Sequence, residues 1–435
     1  PSIVVGTRSA LFLPMRDPGL VILDEEHDSS FKQDEQLVYQ AKELAYFLSR
    51  ENKALMVLGS ATPDVKTSYA AEQGSIPRVF LNARILDRKL PSVDVVNLLQ
   101  EPPKSGPLSP RCLQALTGTL EHGGQVVILQ NRRGYAHLVY CPGCGQVARC
   151  PNCEVGLTYH KSVEKLLCHY CGYSLECPQP CTHCGESDLL PLGEGTEQIE
   201  EFVRREFPDI GVVRLDRDSI RSRGRMEELL DRFARKEAGI MVGTQMISKG
   251  HHFPGVTMVV VVDGDLGLNL PDYRATERTF QLLVQVAGRA GRGEAPGTVF
   301  IQTRNPDHYC WKYVRESDYH GFYRTEIERR RKLSYPPFVK LGLIRMSFPL
   351  QWKEGKSAVM DISRALNATG KALNVRILGP APSPLPVLRG RSRFQCLLKG
   401  ERWENIRGLY ARALETAPAN RALRMHLDLD PMAML

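Results

Sequence analysis

Eight of the twelve cysteines stand as four Cys-x-x-Cys pairs: Cys141/Cys144, Cys150/Cys153, Cys168/Cys171 and Cys181/Cys184. Two thiolates at this spacing sit on one tight turn and present both sulfurs to a tetrahedral ion, so four pairs can supply two closed Cys₄ zinc sites. A closed site leaves no position for a reacting water, and its expected role is structural. Iron–sulfur ligation and redox Cys-x-x-Cys chemistry are the alternatives. Spacing alone does not say which pairs share an ion. His160, His169 and His183 lie nearby and are expected to be bystanders, while Cys112, Cys177, Cys310 and Cys396 have no such partner. A disulfide framework belongs to short secreted chains, so a reducing cytoplasm and bound metal are expected.

A second set of reactive residue types flanks the cysteines. Asp24-Glu25-Glu26-His27 follows the apolar run Leu20-Val21-Ile22-Leu23. At the carboxyl edge of a parallel sheet, where ligands bind, Asp24 is placed to hold Mg²⁺ and Glu25 to orient an attacking water for nucleotide hydrolysis. A solvated acidic turn is the plain alternative. Gly59-Ser60-Ala61-Thr62 ends another apolar run with small and hydroxyl residues that can sit close to a phosphate or a lobe interface. Gln285, Arg289 and Arg292 recur at i, i+4 and i+7, one stripe if the helix persists. Two arginines on such a face suit a γ-phosphate, although alone the stripe is ordinary surface.

Candidate strand contacts come from aromatic and basic types. Phe31 and Lys32, with Tyr39 beyond, could stack a base and hold a single-strand backbone; inward packing is the alternative for Phe31. Arg132, Arg133 and Tyr135, and Lys249 with His251 and His252, are further candidates. Arg324, Arg329, Arg330, Arg331 and Lys332 on one helix offer either a solvated basic face or a DNA-backbone contact.

The elements that must position these residues read as an α/β chain. Up to residue 97, short apolar strands alternate with helices, which implies a parallel sheet covered by helices. The prolines of 98–110 read as an interlobe linker. A second alternating block, 111–303, contains the cysteine insert 141–184. From 304 to 435 the pattern becomes a basic helix, then strand, helix, strand, strand, helix, strand, a small α+β domain. The sequence begins at Pro1 with a strand-like Ile3-Val4-Val5 already in place, which reads as an N-terminally truncated first lobe. At 435 residues, two or three domains are expected. Apolar residues at 42% and charged residues at 24% exclude a largely disordered chain. No apolar run reaches the length of a membrane span. The formal charge of +8 permits a polyanionic partner, and eight thiolates on two Zn²⁺ would lower it by about four.

In combination these strings resemble the superfamily 2 helicases. Asp24 to His27 resembles motif II, Gly59 to Thr62 motif III, Gly243-Thr244-Gln245-Met246-Ile247-Ser248-Lys249-Gly250 motif V, and Gln285 to Arg292 motif VI. Over nearly its whole length the chain further resembles the primosomal protein N′ family of replication-restart helicases. Val5-Gly6-Thr7-Arg8-Ser9-Ala10, Gln130-Asn131-Arg132-Arg133-Gly134-Tyr135, the eight-cysteine insert, Gly195-Thr196-Glu197-Gln198 and Gly379-Pro380-Ala381-Pro382 carry that likeness.

The resemblance implies two RecA-like parallel-sheet lobes, the first incomplete, with a binuclear zinc insert and the α+β tail. It implies ATP-dependent 3′–5′ unwinding of stalled or forked DNA and initiation of primosome assembly, with Mg²⁺ and ATP in the intact protein. Gly59, Ser60, Ala61, Gly243, Thr244 and Gln245 would serve the ATP site and its coupling. His27 and Thr62 would couple the lobes, and Gln285, Arg289 and Arg292 would complete the site. The family's aromatic-rich loop, here Phe31 and Lys32, couples strand binding to hydrolysis. Its zinc pairing is nested: Cys141, Cys144, Cys181 and Cys184 for one ion, Cys150, Cys153, Cys168 and Cys171 for the other. The implied partners are single-stranded and forked DNA, other primosome proteins, single-strand-binding protein and the replicative helicase loader, for a nucleoid-associated cytoplasmic monomer.

The sequence departs from the family by lacking a phosphate-cradling Gly-rich loop with Lys-Ser/Thr. Gly370-Lys371 is followed by Ala372 and lies in the tail. The family's N-terminal DNA-binding region is likewise not in the sequence. A non-catalytic zinc platform that binds forked DNA and primosome partners is the alternative reading.

Overall fold

The computed structural model describes the chain except residues 1–2, 35–36, 82–89, 131–136, 162, 178–179, 187–188, 194, 217–218, 220–222, 245–252, 289, 291–296, 417–421, 433 and 435. Leu20–Leu23 and Leu55–Leu58 pair in parallel, with Leu20 opposite Leu55 and Leu23 opposite Leu58. Side chains alternate across a strand. Leu23 is buried on the side where Ala41 and Ala45 of the helix Ala41–Glu51 also bury. Leu20, Ile22, Leu55 and Val57 share the other face and are exposed.

The second lobe is a six-stranded parallel sheet in the order Val212–Leu215, Ile240–Gly243, Gln125–Leu129, Val256–Val261, Thr298–Thr303, Ser92–Asn97. Its central strands Gln125–Leu129 and Val256–Val261 read as nearly continuous apolar runs because both of their faces are buried. Val127 and Leu129 enter one core with Met241, Val259, Ile301 and Phe280. Val126 and Ile128 enter the opposite core with Ile240, Val242, Leu116 and Phe202.

Two boundaries read from the sequence require correction. Ser92–Asn97, placed by sequence in the first lobe, is the edge strand of the second sheet and pairs along its whole length with Thr298–Thr303. The proline-rich stretch after it therefore lies within the second lobe. Gln302 fastens it there, donating to Pro107 O (2.9 Å) and accepting the Ser109 N–H (2.7 Å). The helices Tyr309–Glu316 and Tyr319–Lys332, placed in the tail, belong to the second lobe as well. Trp311, Val314 and Phe322 are buried in its core, and Phe322 stacks on Phe280 at 4.1 Å between centroids.

The tail domain runs strand, helix, strand, strand, helix, strand from Lys340 to Leu429. Its antiparallel sheet has the order Val375–Leu388, Arg391–Gly400, Lys340–Pro349, Arg424–Leu429, a ferredoxin-like arrangement. The helices Gly355–Gly370 and Trp403–Thr416 bury Val359, Ile362, Ile406 and Leu409 against it. The cysteine insert holds the short sheet Thr158–His160, Lys165–Leu167, Ser174–Glu176 and packs on the tail rather than standing free. Cys150, Cys153, Cys168 and Leu166 share one core with Leu341, Leu343, Leu378 and Leu397. No helix among the described residues is long and apolar enough to cross a membrane.

Candidate nucleotide cleft and metal centres

Motif II and motif III are laced together by the parallel pairing of their strands. Gly59 N–H donates to Leu23 O (2.9 Å), and Glu26 N–H donates to Gly59 O (3.0 Å). A side chain at Gly59 would meet the Asp24 carboxylate, with its Cβ 3.5 Å from Oδ1. Asp24 is exposed at the strand end and accepts the Glu25 N–H (2.9 Å). Glu25 takes the left-handed conformation (φ 48°), which any non-glycine residue adopts at a cost. His27 Nδ1 shares a hydrogen bond with Ser60 Oγ (2.7 Å), and Thr62 N–H donates to the same hydroxyl (3.0 Å).

Glu26, for which sequence suggested no role, is the buried anchor of this loop. It accepts from Lys42 Nζ (2.7 Å), Thr67 Oγ1 (3.0 Å) and Asp64 N–H (2.6 Å). Burial works against the Lys42 charge, but Asp64 and Glu26 outweigh it and hold its pKa above the ordinary lysine value. Burial likewise pushes the Asp64 carboxyl up, yet Lys42, Lys66 and Arg274 reverse it and hold it well below the carboxylate range.

The helix Ala275–Ala287 closes the cleft from the second lobe. Gln281 Nε2 donates to Thr62 O (3.2 Å), and Glu277 Oε1 accepts the Val65 N–H (2.8 Å). His27, Asp64, Arg274, Glu277, Gln281 and Gln285 line one solvent-open cleft. The structure thus brings His27 and Gln285 together, with Thr62 bonded to the facing helix. The described helix runs to Ala287 with Gly288 as its C-cap. Arg289 and Arg292 lie outside the described residues, as does Gln245. Gly243 and Thr244 sit at the end of Ile240–Gly243, where Gly243 O accepts the Gln130 N–H and Thr244 N–H donates to Leu215 O. Neither lines the cleft.

Two basic assignments are corrected. Lys32 is not available to a nucleic-acid backbone. Its Nζ is buried 2.9 Å from Asp428 Oδ1 and donates to Leu429 O (2.8 Å). Arg330 of the basic helix is also interior, donating to Glu277 Oε2 (2.6 Å) and Glu326 Oε1 (3.0 Å). Phe31 is half-buried on the short turn Ser29–Phe31, which Arg8 braces by donating to Ser30 O (2.5 Å) and Lys32 O (3.1 Å). Arg132, Arg133, Tyr135, Lys249, His251 and His252 lie outside the described residues.

The eight paired cysteines gather into two groups whose sulfurs all lie within 4.8 Å of one another: Cys141, Cys144, Cys181 and Cys184, and Cys150, Cys153, Cys168 and Cys171. This is the nested pairing. Each pair is built on the same turn. The first cysteine's N–H donates to the carbonyl five residues on, at Gln146, Val155, Tyr173 and Glu186. Its carbonyl accepts the N–H of Gly145, Glu154, Gly172 or Gly185, all four at positive φ, where glycine is at ease and Glu154 is not. Four thiols from two such turns fit one tetrahedral Zn²⁺, and the chain holds two such sets. The inner set is buried but for Cys171, whereas Cys144 and Cys181 of the outer set are half-buried and Cys184 is exposed. His169 stands outside both sets; its Nδ1 lies 2.8 Å from Pro382 O and its Nε2 3.3 Å from His160 Nε2. The unpaired thiols are of a different kind. Burial pushes Cys112 up to about 11 and Cys396 to about 12, which leaves both unreactive.

Comparison with known proteins agrees with this geometry. Residues 190–294 match the helicase conserved C-terminal domain, 150–175 the PriA DNA helicase Cys-rich region, and 331–432 the primosomal protein N C-terminal domain. The chain is therefore a helicase-family protein with a metal-binding insert. The replication restart protein PriA of Bacillus subtilis (strain 168) is 38% identical over 438 residues, covering 100% of this chain and 54% of that protein. PriA of Rickettsia felis is 37% identical over 431 residues, 99% of this chain and 66% of that protein. PriA of Treponema pallidum is 37% identical over 433 residues, 100% and 65%. The chain belongs to the PriA family of replication restart proteins and spans about half to two thirds of the length of these curated relatives.

Proposed function

We propose that this chain is the motor and zinc platform of an ATP-dependent 3′–5′ DNA helicase that recognises stalled or forked DNA and starts primosome assembly. The observation that carries the reading is the cleft walled by His27 of motif II and by Gln281 and Gln285 of the helix leading to motif VI, with Gln281 bonded to Thr62 O of motif III and Asp24 and Glu25 just outside its lining. Asp24 would hold the Mg²⁺ of bound nucleotide, and that ion would supply charge neutralisation on the phosphates. Glu25 orients the attacking water. The His27–Ser60 hydrogen bond passes a change at motif II to motif III, and Thr62 passes it to Gln281 on the other lobe. Arg289 and Arg292 complete the charge on the phosphates.

Phe31, Arg132, Arg133, Tyr135 and Lys249 contact the strand, and Lys32 is withdrawn from that set. The two metal sites make the insert a rigid surface for fork DNA and primosome proteins, including single-strand-binding protein and the helicase loader. The activity is that of a cytoplasmic, nucleoid-associated protein working as a monomer.

The test is ATP turnover by the complete polypeptide encoded by the gene, with and without forked DNA. Fork-stimulated hydrolysis that Glu25→Gln abolishes while nucleotide binding persists is the expected outcome. Tight fork binding with no hydrolysis under any condition would replace the motor by a non-catalytic zinc platform.

A further inference from the structure

The end of the tail domain reaches into the junction between the two lobes. Lys66 Nζ donates to Asp430 Oδ2 at 2.5 Å. Lys66 stands in the first turn of the helix Val65–Glu72, immediately after motif III. On the other side of the same carboxylate, Arg274 Nη2 lies 3.4 Å from Asp430 Oδ1. Arg274 is the N-cap of the helix Ala275–Ala287 that carries Gln281 and Gln285. It is 2% exposed and also donates to Pro431 O (3.3 Å) and Met432 Sδ (2.8 Å). Arg278, one turn along, donates to Met432 O. Two residues upstream, Asp428 and Leu429 O hold Lys32 behind motif II.

Lys66 and Arg274 are like charges on different lobes drawn to one carboxylate. Asp64 also faces both cations but already serves Lys42 at 3.6 Å and the Lys66 N–H, and Asp272, which faces Arg274, is paired with Arg278 at 2.9 Å. Without the Asp430 charge, the two cations would be left partly unneutralised where little solvent can screen them, and the lobes would be pushed apart at motif III.

We propose that Asp430 is a positioning residue for the cleft: it clasps Lys66 of the first lobe and Arg274 of the second, and so sets the spacing at which motif III meets the motif VI helix. The proposal rests on reading that cleft as the nucleotide site. Asp430 touches no reacting atom; it acts through the two helices it joins. The tail domain, through its last strand and the residues after it, is thereby part of the motor.

The experiment compares Asp430→Asn, Asp430→Glu and Lys66→Gln in the complete polypeptide, with dyes placed through unnatural amino acids at exposed Glu51 and Asp209. Lys66→Gln leaves Arg274 and Asp430 paired, so it separates loss of the clasp from loss of folding. Without nucleotide, Asp430→Asn and Lys66→Gln are expected to lengthen and broaden the inter-lobe distance distribution, and Asp430→Glu to restore it. In turnover, misplacement of the two halves is expected to lower kcat by about 10- to 100-fold with the ATP KM nearly unchanged, again restored by Asp430→Glu. Wild-type distances and kcat in both Asp430→Asn and Lys66→Gln would overturn the proposal. Should the wild type hydrolyse no ATP, the motor reading fails, while the distance measurement still decides the clasp.

Discussion

Arg330→Met separates a structural basic helix from a nucleic-acid-binding one. Arg330, Glu277 and Glu326 form a triad in which no side chain is more than 5% exposed. Burial opposes the Arg330 charge, but Glu277 and Glu326 outweigh it and raise its pKa well above the ordinary arginine value. Methionine keeps much of the stem volume and deletes the cation, which leaves two buried carboxylates facing each other. Each retains one other partner: Tyr309 O–H donates to Glu326 (2.8 Å), and the Val65 N–H to Glu277. Neither of those partners carries a positive charge. Breaking a buried pair from one side costs ~3–5 kcal/mol. With a urea slope of about 1–3 kcal/mol per M, that is a midpoint lowered by about 1–5 M. Arg331, exposed and lying over the Phe338 ring at 4.8 Å from its centroid, is the control, and its methionine variant should lose only ~0.5–1 kcal/mol. Urea unfolding followed by tryptophan fluorescence suits the test, because Trp311 lies in the core that the helix covers. An Arg330→Met protein that unfolds at the wild-type midpoint while its DNA affinity falls would refute the burial argument and return the helix to the nucleic-acid surface.

Zinc should leave in two steps under mild chelation. The outer set, with Cys184 exposed, releases one ion per chain early, and the inner set yields the second only when the core it shares with the tail sheet opens; colorimetric release that shows both ions leaving together would contradict this. Acid should open the Asp430 clasp. Burial raises that carboxyl, but Lys66 and Arg274 outweigh it and hold it down at about 2, against an unfolded value of about 3.9. Its contribution, ~2 kcal/mol, is therefore complete above about pH 4 and fades as pH falls toward 2. The stability gap between wild type and Asp430→Asn should close over that window, and a gap unchanged at pH 2 would show that the carboxylate is not held ionised by those two cations.

Local chemistry was legible where local geometry decides it. The four Cys-x-x-Cys pairs announce their turns, and the residue after each pair (Gly145, Glu154, Gly172 or Gly185) adds a left-handed position that the spacing alone did not mention. The apolar runs of the second lobe are strands because both faces are covered, and the strand and helix order of the tail follows from its alternation. What the sequence could not carry is which sheet a strand joins. Ser92–Asn97 has an apolar pattern that suits either lobe, and only its pairing with Thr298–Thr303 decides. Lys32 shows the same limit. A lysine beside an aromatic looks like a backbone contact until a carboxylate nearly 400 residues away neutralises it. Arg330 did leave a trace. Phe322, Tyr323, Glu326, Ile327 and Arg330 recur at helical spacing and are all buried, so the arginine falls on the apolar stripe with Glu326 four residues before it.

The inner metal site packs on the face of the tail sheet opposite the tail's own helices, and this changes what its loss would do. Tyr335 O–H donates to Cys153 O (3.0 Å), and Gln395 Nε2 donates to His169 O (2.9 Å). Both bonds run from the tail to the backbone of the ligand turns. Gln395 belongs to Arg391–Gly400, which pairs with Lys340–Pro349, and that strand pairs in turn with Arg424–Leu429. The last of these contains Asp428 and leads directly to Asp430, which together hold Lys32, Lys66 and Arg274. The sheet is packed on both faces, against the insert on one and the helices Gly355–Gly370 and Trp403–Thr416 on the other, and close-packed interiors transmit strain rather than absorb it. The metal turns, the tail sheet and the clasp on the cleft are therefore joined by one continuous run of hydrogen bonds and ion pairs. The inner cysteines are thus connected to the lobe junction through the tail sheet, whereas the outer cysteines adjoin the second lobe where Arg304 packs on Gly145 and Tyr140.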